Sequence, residues 1–216
     1  MGKKGWWLGL ALALAVAVGA PLAVFGWMDA AVLGRDTPIS TQTGKLAVSS
    51  SDLPLVEHIH NVLGETNAQE QASRPATLEE MAGGLSDFLA SGVLPQWVAD
   101  VWEQVCQTGV GTVTVTYGTD IISYEYNGTD GVSCSYTTDL ASGCVLGFQL
   151  YTKEEHTTSQ ERRQAVMERY IQYLGLDVLG DWVYNGNRYQ SPEAQLFVNA
   201  LMEEDSGGFS IGVELG

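Results

Sequence analysis

Between Lys4 and Asp29 the chain carries no charge, and this run, Gly5 to Met28, limits what the protein can become more than any other feature. From Leu8 to Val18 it alternates Leu, Ala and Val with a single Gly. A helix rising ~1.5 Å per residue covers about 30 Å, the hydrocarbon thickness of a bilayer, in roughly 20 residues. Trp7 and Trp27 are separated by that interval, so Trp6, Trp7 and Trp27 are placed at the two headgroup layers, where indole is both apolar and a hydrogen-bond donor. Lys3 and Lys4 then hold the start of the helix in the cytoplasm, and everything after it lies outside. A cleaved secretory signal has the same basic start but a shorter apolar stretch and an A-x-A-like site. Val18-Gly19-Ala20 is followed by Pro21, and Val32-Leu33-Gly34 lies far past the apolar run, so an uncleaved signal-anchor is expected. No polar face exists to make Gly5 to Met28 an ordinary core helix.

The chain has 216 residues, 10 Lys plus Arg against 26 Asp plus Glu and a formal charge of -16, with Lys3 and Lys4 preceding every acidic residue. So acidic an exported part repels phosphates, which makes nucleic acid and anionic headgroups poor candidate partners. Export permits a disulfide, yet Cys106, Cys134 and Cys144 form no CxxC pair. Cys134 and Cys144 come out about four residues out of register across a hairpin, too far for direct bonding. A bridge from Cys106 to one of them stays open, beside the preferred reading of three small buried hydrophobes.

Residues 29–51, with Thr37-Pro38, Thr43-Gly44 and Ser49 to Ser51, read as a flexible stalk. The domain is therefore expected over 52–216. Asp52 is a candidate N-cap for a short helix with Leu55, Val56, Ile59, Val62 and Leu63 on one face, ended by Gly64, and Glu65 to Ala76 is a second polar linker. Thr77-Leu78-Glu79-Glu80 is a capping box, and Leu78, Met81, Leu85, Phe88 and Leu89 follow at helical spacing. Pro95 opens another helix, whose stripe includes Trp97, Val98, Trp102 and Val105.

At Gly109 the period changes from 3.6 to 2, and strands are expected at 112–117, 122–126, 132–138 and 144–151. Thr158-Ser159-Gln160-Glu161 starts a further helix that stops at Gly175, Trp182 to Tyr184 begins a strand, and Phe209 to Leu215 alternates as a terminal one. Residues 193–203 fit either a helix after Ser191-Pro192-Glu193 or a strand through Leu196, Val198, Ala200 and Met202. The strand is preferred because Phe209 to Leu215 needs a partner. The fold class expected is α+β: an N-terminal transmembrane helix, then helices packed on antiparallel sheet, divisible into two helix-plus-three-strand units at 96–151 and 158–215.

Asp139-Leu140-Ala141-Ser142-Gly143, followed by the alternating Cys144 to Leu150, resembles the D-x-x-[TS]-G hairpin of PepSY-type domains, small exported or membrane-tethered modules of a helix and a three-stranded sheet. Ala165 to Gly175 is similar to the helix that opens such a unit, whereas Asp205-Ser206-Gly207-Gly208 lacks the motif's spacing. The resemblance implies a binding or regulatory module at the cell envelope, with no catalytic residues to carry over.

Signs of chemistry are few. His58 and His60, preceded by Glu57, diverge by about 200° on a helix, whereas shared metal ligation on one face needs a spacing of three or four. His156 is the other histidine. Neither a G-x-S-x-G elbow nor an H-E-x-x-H pair occurs, Gly44-Lys45 lacks the rest of a P-loop, and Lys45 and Lys153 are the lysines left for a Ser-Lys dyad. Asn127 to Gly131 and Asn185-Gly186-Asn187 are turns rather than calcium loops. The acidic pairs Glu79-Glu80, Glu154-Glu155 and Glu203-Glu204 support an alternative, an exported hydrolase using paired carboxylates. The preferred reading assigns no catalytic, cofactor-binding or metal-binding residue. It is a single-pass cell-membrane protein, anchored through residues 5–28 with its N-terminus cytoplasmic, whose acidic domain contacts an envelope protein or peptide.

Overall fold

The computed structural model describes residues 49–50, 53–64, 72–154, 159–203 and 207–216. The anchor at 5–28 and nearly all of the stalk therefore lie outside the described residues, as do His156, Glu155 and Glu204. Among the described residues no helix is long and apolar enough to cross a membrane.

The described residues form four helices and nine strands in the order α1 (Pro54–Gly64), β1 (Ala72–Ala76), α2 (Leu78–Ala90), α3 (Gln96–Thr108), β2 (Gly111–Tyr117), β3 (Ile121–Gly128), β4 (Ser133–Asp139), β5 (Val145–Tyr151), α4 (Gln160–Tyr173), β6 (Val183–Tyr184), β7 (Arg188–Ser191), β8 (Leu196–Glu203) and β9 (Gly208–Leu215). The α+β class holds.

Helix boundaries follow local chemistry. The Thr77 hydroxyl accepts the Glu80 N–H at 3.1 Å and opens α2, and Ser159 does the same for Arg162 at the start of α4. Gly175 (φ 67°) closes α4 in a Schellman arrangement, with the Leu176 N–H donating to Ile171 O and the Gly175 N–H to Gln172 O. Ser191 also behaves as a cap, accepting the Ala194 N–H at 3.2 Å. It starts only one turn, because Asp181 takes the Ser191 hydroxyl and the Glu193 N–H, both at 2.7 Å, and Gln195 sits at φ 51°. The chain leaves that turn extended, so 196–203 is a strand, as the need for a partner predicts.

All nine strands form one antiparallel sheet in the order β1-β2-β3-β4-β5-β9-β8-β7-β6. The two passages at 96–151 and 158–215 each contribute a helix and four strands, not three, and they fuse through β5 and β9 instead of standing as separate sheets. Each passage is a run of neighbouring hairpins, and the last strand of one pairs with the last strand of the other about the central couple Gln149 and Ser210. β1, like β7, is an element that the sequence pattern hides. Ala-Ser-Arg-Pro-Ala reads as linker, yet it pairs with β2 along an edge where Pro75 needs no outward partner. The other edge, β6, is two residues long, so neither edge invites strand addition.

One face of the sheet carries the core. Val115, Tyr124, Tyr136, Phe148, Ile211 and Ala200 are aligned across successive ladders and buried. Helices α2, α3 and α4 cover them. Phe88 of α2 meets Phe148 (5.8 Å between centroids) and Tyr170 (6.1 Å), while Trp97 of α3 stands edge-on to Phe209 (6.2 Å). Helix α1 packs by β9 at one end of the sheet, where Val56 and Ile59 are buried.

Candidate binding surfaces

Because strand side chains alternate, the residues between the core positions face away from α2, α3 and α4. This second face is polar: Thr114, Ser123, Ser135, Thr137, Gln149 and Ser210 lie along it, with Ser123 and Thr137 hydrogen-bonded at 2.9 Å. Over the joint between the two halves it holds a hollow of about 440 Å³, with Ser135, Thr137, Asn199 and Glu214 but also Ile121 and Leu201 on its walls and Leu63 of α1 at its rim. Its floor is Gly147 of β5 opposite Gly212 of β9.

Neither glycine is required by the backbone. Neither has a positive φ. A Cβ at Gly147 would meet nothing within 4 Å, and one at Gly212 would make ordinary contact with Leu146 O at 3.5 Å. Glycine inside a strand weakens it and is frequent where another backbone or a ligand comes close. A β-bulge adjoins the hollow: Thr137 pairs with Gly147 but Thr138 with Val145, so Leu146 is the extra residue. The motif Asp139 to Gly143 lies just beyond. Asp139 Oδ2 accepts the Ser142 N–H at 2.7 Å and Gly143 takes φ 74°, the turn chemistry that its sequence predicts.

A second concavity, of about 750 Å³, lies on the helical side between the start of α3 and the outer face of α4. Trp97, Leu94 and Pro95 form one wall, and Arg162, Val166 and Arg169 the other. Pro95 supplies no side-chain cap to α3, and no acidic residue stands in its first turn, unlike α2 and α4. Arg169 donates one bond to Gly92 O at 3.0 Å. Among the described residues neither arginine has a carboxylate partner.

No family model matches the chain. Nor does any curated protein or solved structure match it.

The histidines diverge on α1 to different partners. His60 Nε2 lies 2.7 Å from Ala194 O, and His58 Nε2 lies 2.9 Å from Oδ1 of the fully buried Asp139, though without the alignment of a hydrogen bond. Together they fasten α1 to the end of the sheet. Among the described residues no three His, Cys, Asp or Glu side chains gather as metal ligands. All three cysteines are free: Cys134 is buried and Cys144 half-buried, but Cys106 is exposed on α3, contrary to the expectation of three buried thiols. In the ladder Cys134 stands opposite Tyr126 and Leu150, well out of register with Cys144.

Of the acidic pairs, Glu80 is held in a two-pronged grip by Arg74, with Tyr124 donating at 3.2 Å. The Arg74 hydrogen bonds hold its carboxyl below the usual carboxylate range. It is a clamp on β1 and α2, since Arg74 also donates to Tyr117 OH at 2.6 Å. Glu154 shares a 220 Å³ cleft with Asp130 and Lys153. The side chains of Glu203 and Glu204 fall outside the described residues. The sequence reading missed both Gly147 and the Arg162–Arg169 pair. The signals were a lone glycine within the alternating run Cys144 to Tyr151, and two arginines seven positions apart, a spacing that returns to nearly the same helix face.

Proposed function

We propose that this is a single-pass envelope protein, anchored through residues 5–28, whose domain at 52–216 acts by binding another envelope protein or peptide with its open sheet face. The observation that carries the reading is the pair Gly147 and Gly212, which sacrifices strand stability to keep a hollow that the fold does not need. The hydroxyl and amide groups in its mixed lining suit directional hydrogen bonding to a partner's backbone, and Ile121 and Leu201 beside them offer apolar contact. The anchor's role is confinement: a domain held near the membrane meets membrane-associated partners at a raised effective concentration. The Asp139 to Gly143 turn keeps the PepSY-type likeness as a supporting consideration, with a restraining or regulatory role as what such a likeness implies.

The test fills the hollow. Gly147→Val places a strand-favouring side chain in open space, so the domain is expected to unfold at an equal or higher denaturant midpoint. A photo-crosslinking residue at Ser210 or Gln149 is expected to give a discrete adduct in native membranes, and Gly147→Val to abolish it. Adducts that persist in the stable Gly147→Val protein, or their absence from the wild-type background, would refute the reading.

A further inference from the structure

Separately from the open face, we infer that the groove between α3 and α4 binds an acidic peptide segment carrying an apolar residue between two carboxylates. Charge complementarity on an unexpected background points to this occupant. The chain is strongly acidic, with a net charge of -16, yet this groove carries Arg162 and Arg169 on one wall and a single carboxylate, Asp100, which already accepts a bond from Gln96 at 2.8 Å. Arg162 has no hydrogen-bond or ion-pair partner for its guanidinium among the described residues, and Arg169 spends one amino group on Gly92 O.

The dimensions suit an extended ligand. Seven helical positions separate the arginine Cα atoms by ~10 Å along α4. In an extended peptide, residues i and i+4 are about 13 Å apart on the same side, with i+2 between them. The long side chains of arginine and glutamate span the difference. The central residue then enters between the apolar side chains of the two walls, Trp97 and Leu94 on one and Val166 on the other. Planar guanidinium groups favour carboxylates through paired hydrogen bonds, which gives the groove a preference that a lysine pair would lack.

The test uses the full chain in detergent and the fluorescent peptide Glu-Ala-Phe-Ala-Glu, titrated by anisotropy at low salt. Saturable binding is expected, with roughly tenfold weakening when both arginines become Glu, as for two exposed ion pairs lost and reversed. The matched Gln-Ala-Phe-Ala-Gln and Lys-Ala-Phe-Ala-Lys peptides are expected to bind at least tenfold more weakly. Circular dichroism checks that Arg162→Glu/Arg169→Glu keeps its helices, and the milder Arg162→Gln alone is expected to give a partial loss. Gly147→Val is expected to bind the peptide unchanged, which separates this groove from the open face. No binding up to about 1 mM, equal affinity for the neutral or basic peptide, indifference to the arginine substitutions, or loss of binding in Gly147→Val would each overturn the inference. So would self-association of the chain that Arg162→Glu abolishes, since the occupant would then be a second copy.

Discussion

Gly83 and Gly84 stand side by side within α2, where each costs about 1 kcal/mol of helix stability relative to alanine. Their surroundings make them opposites. A Cβ at Gly84 would lie close against the Tyr136 hydroxyl, which donates to Met81 O at 2.6 Å, whereas a Cβ at Gly83 would meet nothing within 4 Å. Gly84 thus makes room for a buried tyrosine whose hydroxyl pKa burial pushes up and whose hydrogen bond ties α2 to β4. In urea denaturation Gly83→Ala is expected to stabilise by about 0.5 to 1 kcal/mol. Gly84→Ala is expected to destabilise by about 1 to 3 kcal/mol through the displaced hydroxyl. Residue-level chemistry of this kind is partly legible in sequence. Thr77, Ser159, Gly175 and Gly143 do what their positions predict because each acts on backbone a few residues away. The opposite characters of Gly83 and Gly84 depend on Tyr136, some fifty residues distant, and no local pattern carries that information.

At the scale of elements, β1 shows what sequence periodicity cannot see. Its five residues include one proline and no apolar alternation, and its pairing with β2 is reinforced by side chains: Arg74 grips Glu80 and Tyr117, and its guanidinium lies 5.5 Å from the Tyr117 ring centre. Since the Glu80 pKa is lowered in the folded state, its contribution is full above the ordinary carboxylate pKa and disappears as pH falls through the lowered value. Below about pH 4, amide protection in β1 is therefore expected to fall before that of β3 and β4. Arg74→Gln should reproduce the loss at neutral pH. Hydrogen exchange reads both, and β1 amides that keep their protection in Arg74→Gln would show that the ladder alone holds the strand. The strand at 196–203 contrasts with β1. It was recoverable because a terminal strand needs a neighbour, even though Ser191-Pro192-Glu193 signals a helix start and Asp181, which stops that helix, lies ten residues before Ser191.

Taken whole, the described fold is two hairpin runs closed into one sheet at β5 and β9, and its aromatic core crosses that joint. Phe88 meets Phe148, Phe148 meets Phe209 at 6.0 Å, and Phe209 meets Trp97, so α2, β5, β9 and α3 share one cluster. Phe88→Ala is expected to cost about 3 to 5 kcal/mol. It should shift a single unfolding transition seen equally by both halves; two separate transitions would mean that the halves fold apart. The division into two passages was legible because each begins with a helix and continues in alternating strands. Their fusion was not, because the pairing of β5 with β9 joins residues about sixty apart, and with it the glycine-floored hollow stays hidden. The proposed binding role requires a partner outside the cytoplasm to cover that hollow. The most direct measurement is labelling by a membrane-impermeant maleimide in cells stripped of their outer layers, comparing exposed Cys106 on α3 with Gln149→Cys on the open face. Cys106 is expected to be modified while Gln149→Cys is protected until the protein is purified; equal labelling of both in cells, or of neither, would contradict the proposed role.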